Sequence, residues 1–201
     1  MKIRILSFAL FSWMLIAGSF GFATPAQVII VRHGEKIDDV NPNLSPRGKL
    51  RAKALVGFFS TNSDVLSFGP LVAIFATEPK AGGSLRPIQT VTPLAEKLGL
   101  TINHDFTKAD TLSLVRSIMQ NPTYQGRSVL ISWVHDSIPN IAKTFGATSA
   151  PTTWDSKVFD RVWILRFSEN KVAFKDIPQH LLPGDSPNYF LQENNIKEIS
   201  P

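Results

Sequence analysis

The chain has 201 residues, 43% of them hydrophobic and 18% charged, with a formal net charge of +5 and no cysteine. Such a length and apolar share suit one compact domain with a real core, and exclude a disordered or collagen-like polymer. Without cysteine there are no thiolate nucleophiles, thiolate metal sites or disulfides, and the dispersed positive charge, with no basic block interleaved with aromatics, argues against nucleic acid as a partner.

Residues 1–23 differ from the rest. Lys2 and Arg4 precede an uncharged apolar run from Ile5 to Gly18, and small residues follow at Gly21 and Ala23. Basic start, apolar middle and small-residue end are the parts of a secretory signal, with cleavage expected after Ala23 and the folded part exported, periplasmic or secreted. An uncleaved membrane anchor is the rival reading, and the membrane is expected to be touched through this segment alone. Cleavage would remove Lys2 and Arg4 and no acid, so the formal +5 would fall by two.

Beyond it, Gln27 to Val31 is a short apolar run rich in β-branched residues, which predicts a strand buried on both faces. Pro46 to Phe59 predicts a helix capped by Ser45, with Leu50, Ala54, Leu55 and Phe58 on its inner face. Leu71 to Phe75 predicts a second strand, and Ile88 to Leu98 a helix ending at Gly99. Thr111 to Met119 predicts a helix with Asp110 as its cap, and Ser128 to Trp133 a third buried strand. A helix from Ser137 to Phe145 stops at Gly146, and Arg161–Phe167 with Lys171–Phe174 form a hairpin. Strands alternating with helices predict a three-layer α/β/α sandwich around a mixed, mainly parallel sheet. The domain is expected over 24–181, with an irregular tail over 182–201.

In such sheets, sites form beyond the carboxyl ends of the strands. There stand Arg32-His33-Gly34-Glu35-Lys36 after the first strand, Thr77-Glu78-Pro79 and a loop to Arg86 after the second, and His135-Asp136 after the third. Two arginines and two histidines meeting at one edge make a phosphate cradle, because the guanidinium fork matches phosphate oxygens. Fixed cations disfavour the proton of a neighbouring imidazole, which leaves it neutral and nucleophilic near pH 7. Gly34 would let the backbone bend around the anion.

Val31-Arg32-His33-Gly34-Glu35-Lys36, Leu44-Ser45-Pro46-Arg47-Gly48 with Arg51-Ala52, Ser84-Leu85-Arg86-Pro87 and Trp133-Val134-His135-Asp136 together resemble the histidine phosphatase superfamily, the phosphoglycerate-mutase-like fold. The resemblance spans Gln27 to about Asp176, in the expected order. It implies that His33 becomes phosphorylated while Arg32, Arg86 and His135 hold the phosphoryl group. It offers Asp136 as proton donor, with Glu78, Asp105 and Asp110 as competitors. Gly34, Glu35, Lys36 and Glu78 are expected at the substrate. The family's usual Ser-Pro-Leu before the second arginine is replaced here by Thr77-Glu78-Pro79 and an insertion containing Gly82-Gly83.

The activity so implied is hydrolysis of a small phosphomonoester, without metal or cofactor. A mutase-type phosphoryl transferase and a non-catalytic phospho-ligand binder are the alternatives. Against the sharper roles stand plainer ones: Glu35 and Lys36 as a solvated pair, Arg47 as a surface helix residue, and His104 and His180 as surface histidines. Trp133, Trp154 and Trp163 are expected to pack in or near the core. No Gly-x-Ser-x-Gly elbow, Walker loop or Rossmann glycine pattern is present, which excludes the corresponding nucleophile and nucleotide chemistries.

Overall fold

A computed structural model describes residues 24–79, 83–169 and 171–186. The expected signal segment, the residues of the tail from 187 on, and Gly82 lie outside the described residues.

Four parallel strands occupy one side of the sheet: β1 (Gln27–Arg32), β2 (Leu71–Thr77), β3 (Ile102–Phe106) and β4 (Ser128–Trp133). The terminal hairpin, β5 (Arg161–Ser168) and β6 (Lys171–Pro178), adds two antiparallel strands beside β1, giving the order β3-β2-β4-β1-β5-β6. The sheet is mixed and mainly parallel, as the strand–helix alternation predicts.

Period-two alternation assigns each central strand to two cores. Val28 and Ile30 of β1, Val129, Ile131 and Trp133 of β4, and Trp163 and Leu165 of β5 face one side. There α3 (Thr111–Gln120) contributes Leu114 and Ile118, and α4 (Ile138–Thr144) contributes Ile138 and Ile141. Ile29 and Val31, Leu130, and Val162 and Ile164 face the other side, against Leu55 and Phe58 of α1 (Pro46–Thr61) and Val91 and Leu94 of α2 (Arg86–Leu98). Each fully buried aliphatic side chain is worth roughly 1.5–3 kcal/mol, so the two cores secure the sheet without disulfides. All three tryptophans expected in or near the core are buried. His104 and His180 are exposed.

Ser45 caps α1 as expected, its hydroxyl accepting from the Gly48 amide at 3.1 Å. The inner face of that helix is different from the expected one: Leu50 is 58% exposed, and Arg51 takes the inward position with Leu55, Phe58 and Phe59. Asp110 stands at the N-cap of α3 as expected, but its side chain makes no capping bond to the helix amides; its carboxylate accepts from the amide and hydroxyl of Thr107. Strand β3 is the element that the residue pattern does not announce. Among the described residues no helix is long and apolar enough to cross a membrane.

Candidate active site

The register of β1 and β4 brings the two histidines together. Arg32 and Trp133, the last residues of these strands, are paired neighbours, and the His33 amide donates to the Trp133 carbonyl at 3.0 Å. His33 and His135 therefore leave the sheet side by side. The first turn of α2 is stitched to the same edge. Ser132 Oγ donates to the Pro87 carbonyl at 2.9 Å, and the Gly34 amide donates to Thr90 Oγ1 at 2.8 Å. This places Arg86, the first residue of α2, beside them.

Arg32 is buried with only 1% of its surface exposed. Its Nη1 donates to the carbonyls of Ser156 at 2.8 Å and Val158 at 2.9 Å, with Asp155 O farther off at 3.4 Å. Beneath it lies the Phe159 ring, 3.8 Å from the guanidinium carbon. Three carbonyls and an aromatic face fix the plane of the fork before any ligand arrives. Burial first, and then the charge of Arg86, pulls its pKa down to about 10.

His33 is 4% exposed, and its Nδ1 lies 2.7 Å from the Gly34 carbonyl. A carbonyl can only accept, so Nδ1 carries the proton and Nε2 keeps its lone pair. Burial pushes the His33 pKa down to about 4, with Arg32, Arg86 and His135 adding to the effect against the Gly34 hydrogen bond. The imidazole is thus neutral across the physiological range. His135 is also lowered, first by burial and then by Arg32, with Asp136 acting in the opposite sense.

A cavity of about 120 Å³ opens here, lined by Arg32, His33, Lys36, Asp39, Arg86, Lys108, Val134, His135 and Asp136. Arg86 is held by Ser84 Oγ at 2.8 Å and the Asp38 carbonyl at 3.2 Å. At the mouth two lysines face two aspartates: Lys36 pairs with Asp39, and Lys108 approaches Asp136 at 3.7 Å. Among the described residues no group of three or more His, Asp or Glu side chains could hold a metal ion. The cavity suits a phosphoryl group, with two buried or half-buried arginines, a neutral imidazole and a second imidazole around one small space.

By sequence the chain matches no family model and no curated protein. Its backbone does match solved structures. A phosphoglycerate mutase from Bacillus anthracis superposes with a TM-score of 0.52 at 12% identity, covering 78% of this chain and 94% of the mutase. A protein assigned as the phosphohistidine phosphatase SixA from Agrobacterium tumefaciens gives 0.50 at 12% identity, covering 76% of this chain and 98% of the other. The fold is phosphoglycerate-mutase-like. At such identity the likeness concerns the frame, and the chemistry has to be read from the residues it carries.

On this phosphoglycerate-mutase-like frame, six of the residues singled out from sequence line one cavity: Arg32, His33, Lys36, Arg86, His135 and Asp136. Gly34, Glu35 and Glu78 do not line it. Gly34 serves a close approach of a different kind: a Cβ there would lie 3.0 Å from the Gly48 carbonyl, so the glycine admits α1 rather than an anion. Glu35 is turned away from the cavity because Arg51 and Arg47 hold its carboxylate, at 2.8 and 2.9 Å. Glu78 is exposed. Among the competing acids, Asp105 is taken by Asn103 and Asp110 by Thr107. Asp39 and Lys108 were not expected at the site. Asp39 sits three residues past Lys36, the last residue of the first motif, a signal of proximity alone, and Lys108 was hidden with β3, the strand it follows.

Proposed function

We propose that this chain is a phosphomonoesterase of the histidine phosphatase superfamily, working through a phosphohistidine on His33. The observation that carries the reading is the His33 ring itself, with Nδ1–H spent on Gly34 O inside a cavity bearing Arg32, Arg86 and His135. Nε2 attacks phosphorus, the ester P–O bond breaks, and the departing alkoxide takes a proton from Asp136. Water then attacks phosphorus, the P–N bond breaks to release inorganic phosphate, and Asp136 recovers its proton from that water. Arg32 and Arg86 hold the equatorial oxygens, whose charge grows in the transition state, and His135 donates to one of them. The reaction asks nothing of a metal ion.

Asp136 is favoured as the acid by position. It lines the cavity, whereas Glu78 does not, and the cavity's other carboxylate, Asp39, is held below the usual carboxylate range by its hydrogen bond and charge contact with Lys36. A group kept anionic is a poor proton donor. The substrate is a small phosphomonoester, and the leader-like residues 1–23 support its encounter outside the cytoplasm.

The test is covalent trapping. The protein mixed with a radiolabelled aryl phosphate and denatured at alkaline pH is expected to retain label, and His33→Ala to retain none. Absence of both label and turnover in the wild type overturns the enzymatic reading, and label persisting in His33→Ala moves the nucleophile elsewhere. Export is checked by sequencing the amino terminus of the protein recovered from its native cells. A start at Thr24 is expected, and an intact Met1 in the cytoplasmic fraction refutes it.

A further inference from the structure

A second charged cluster lies behind the cavity, and the reaction just described leaves it unused. Arg51, 1% exposed, has a carboxylate on each edge of its guanidinium. On one edge, Nε and Nη2 donate to Glu35 at 2.8–3.2 Å. On the other, Nη2 and Nη1 donate to Asp185 at 2.7 and 3.0 Å, and Nη1 also reaches Gln179 Oε1 at 2.8 Å. Asp185 further accepts from Arg47 at 3.1 Å and from the amides of Leu181 and Leu182 at 2.9 and 3.0 Å. Burial alone would raise both carboxyls, but their arginines more than offset it, leaving Glu35 below its usual range and Asp185 at about 2.

Glu35 is joined by one peptide bond to Gly34, whose carbonyl fixes the His33 tautomer. The Glu35 carbonyl, in the next peptide unit, also receives the Ser45 amide at 2.8 Å, which ties this segment to the start of α1. The segment bearing Asp185 reaches the other side of the site as well. Its neighbour Ser186 donates to the Asp160 carboxylate, and the Gln179 amide donates to the Asp160 carbonyl at 2.8 Å. Asp160 follows Phe159, the ring beneath Arg32. Residues 179–186 therefore brace both flanks of the segment that presents Arg32 and His33.

We propose that Asp185, acting through Arg51 and Glu35, is a positioning residue that holds the Gly34 carbonyl against His33 Nδ1 and so keeps Nε2 free for attack. The inference rests on the phosphohistidine reading. Loss of the brace should spare phosphate binding, because neither Asp185 nor Arg51 lines the cavity, and should instead lower the rate of attack.

The experiment compares Asp185→Asn and Arg51→Met with Ile118→Ala, a core substitution on the opposite face of the sheet, in the full-length chain at a temperature where all are folded. Expected for the first two are a kcat lowered about tenfold on an aryl phosphate, a KM within about twofold of wild type, and a smaller share of the Nδ1–H tautomer in the His33 ring ¹⁵N shifts. Ile118→Ala is expected to lose stability yet keep kcat and tautomer. If Arg51→Met fails to fold, the milder Asp185→Asn decides. A folded Asp185→Asn with wild-type kcat and tautomer overturns the proposal, as does an Ile118→Ala that matches its losses. A wild type without label or turnover refutes the phosphohistidine reading instead, and the tautomer measurement still decides whether Asp185 orients His33.

Discussion

The low His33 pKa has a consequence for folding that can be measured without any substrate. An imidazole at about 4 in the fold and 6.5 when unfolded binds fewer protons in the native state throughout that interval. The unfolded chain binds more, so the contribution of this residue to stability rises with pH between 4 and 6.5 and is lost on acidification. Integrated between pH 7.5 and 4.5, the loss from this one ring is roughly 2–3 kcal/mol. The matching perturbation is His33→Asn, whose amide can still donate to the Gly34 carbonyl but does not titrate. Urea unfolding at the two pH values should show the wild type losing roughly 2–3 kcal/mol more than the variant on acidification, while titrating groups not coupled to His33 cancel in the difference. A direct ¹⁵N titration should find His33 largely unprotonated at pH 5.5, where an unperturbed imidazole is about nine-tenths protonated. Equal acid losses in the two proteins, or a His33 midpoint near 6.5, would refute the claim that His33 is kept neutral by burial among cations.

Other outcomes follow from single contacts. Gly48→Ala would drive a Cβ into the Glu35 backbone, whose nitrogen lies 2.9 Å from it, and should cost about 2 kcal/mol and roughly 4–8 °C in Tm by calorimetry; an unchanged Tm would contradict the packing. Arg32→Lys keeps the charge but loses the fork that Ser156 and Val158 hold, and should lower kcat about a hundredfold in steady-state assays, where a loss under threefold would remove Arg32 from transition-state binding. Asp136→Asn should slow alkyl phosphates by about 10²-fold or more and 4-nitrophenyl phosphate far less; equal losses on both would take the proton donor role away from it.

The legible parts of the fold are those where burial acts on both faces of a strand. Val28 to Val31 and Val129 to Trp133 are buried throughout, and such strands must be almost continuously apolar, which is why their ends, and the residues just past them, could be read. β3 is at the edge, with Asn103, His104 and Asp105 half-buried or exposed, so no hydrophobic pressure marked it. Lys108 went unread with it. The inner face of α1 failed for another reason. Counting apolar positions placed Leu50 inside, but a fully buried Arg51 between two carboxylates holds that place. Periodicity reads hydrophobicity, and a neutralised ion cluster defeats it. The carbonyls of Ser156 and Val158 that orient Arg32 left no trace at all, because every residue type carries that group.

The two charge clusters meet at residues 32–35 and make opposite demands. Among the described residues lining the front, Arg32, Arg86, Lys36 and Lys108 outnumber Asp39 and Asp136, and cationic neighbours, added to burial, pull Arg32 and His33 down. On the back, Arg47 and Arg51 face Glu35 and Asp185, and their charges balance. An unbalanced front suits an anionic ligand, and its like charges repel one another until such a ligand is bound. Something must hold Arg32 and His33 in place against that repulsion. A balanced cluster can do so without adding to the field, since paired charges nearly cancel at a distance. This is the physical reason for two carboxylates on one buried guanidinium, one from the segment that bears His33 and one from residues 179–186.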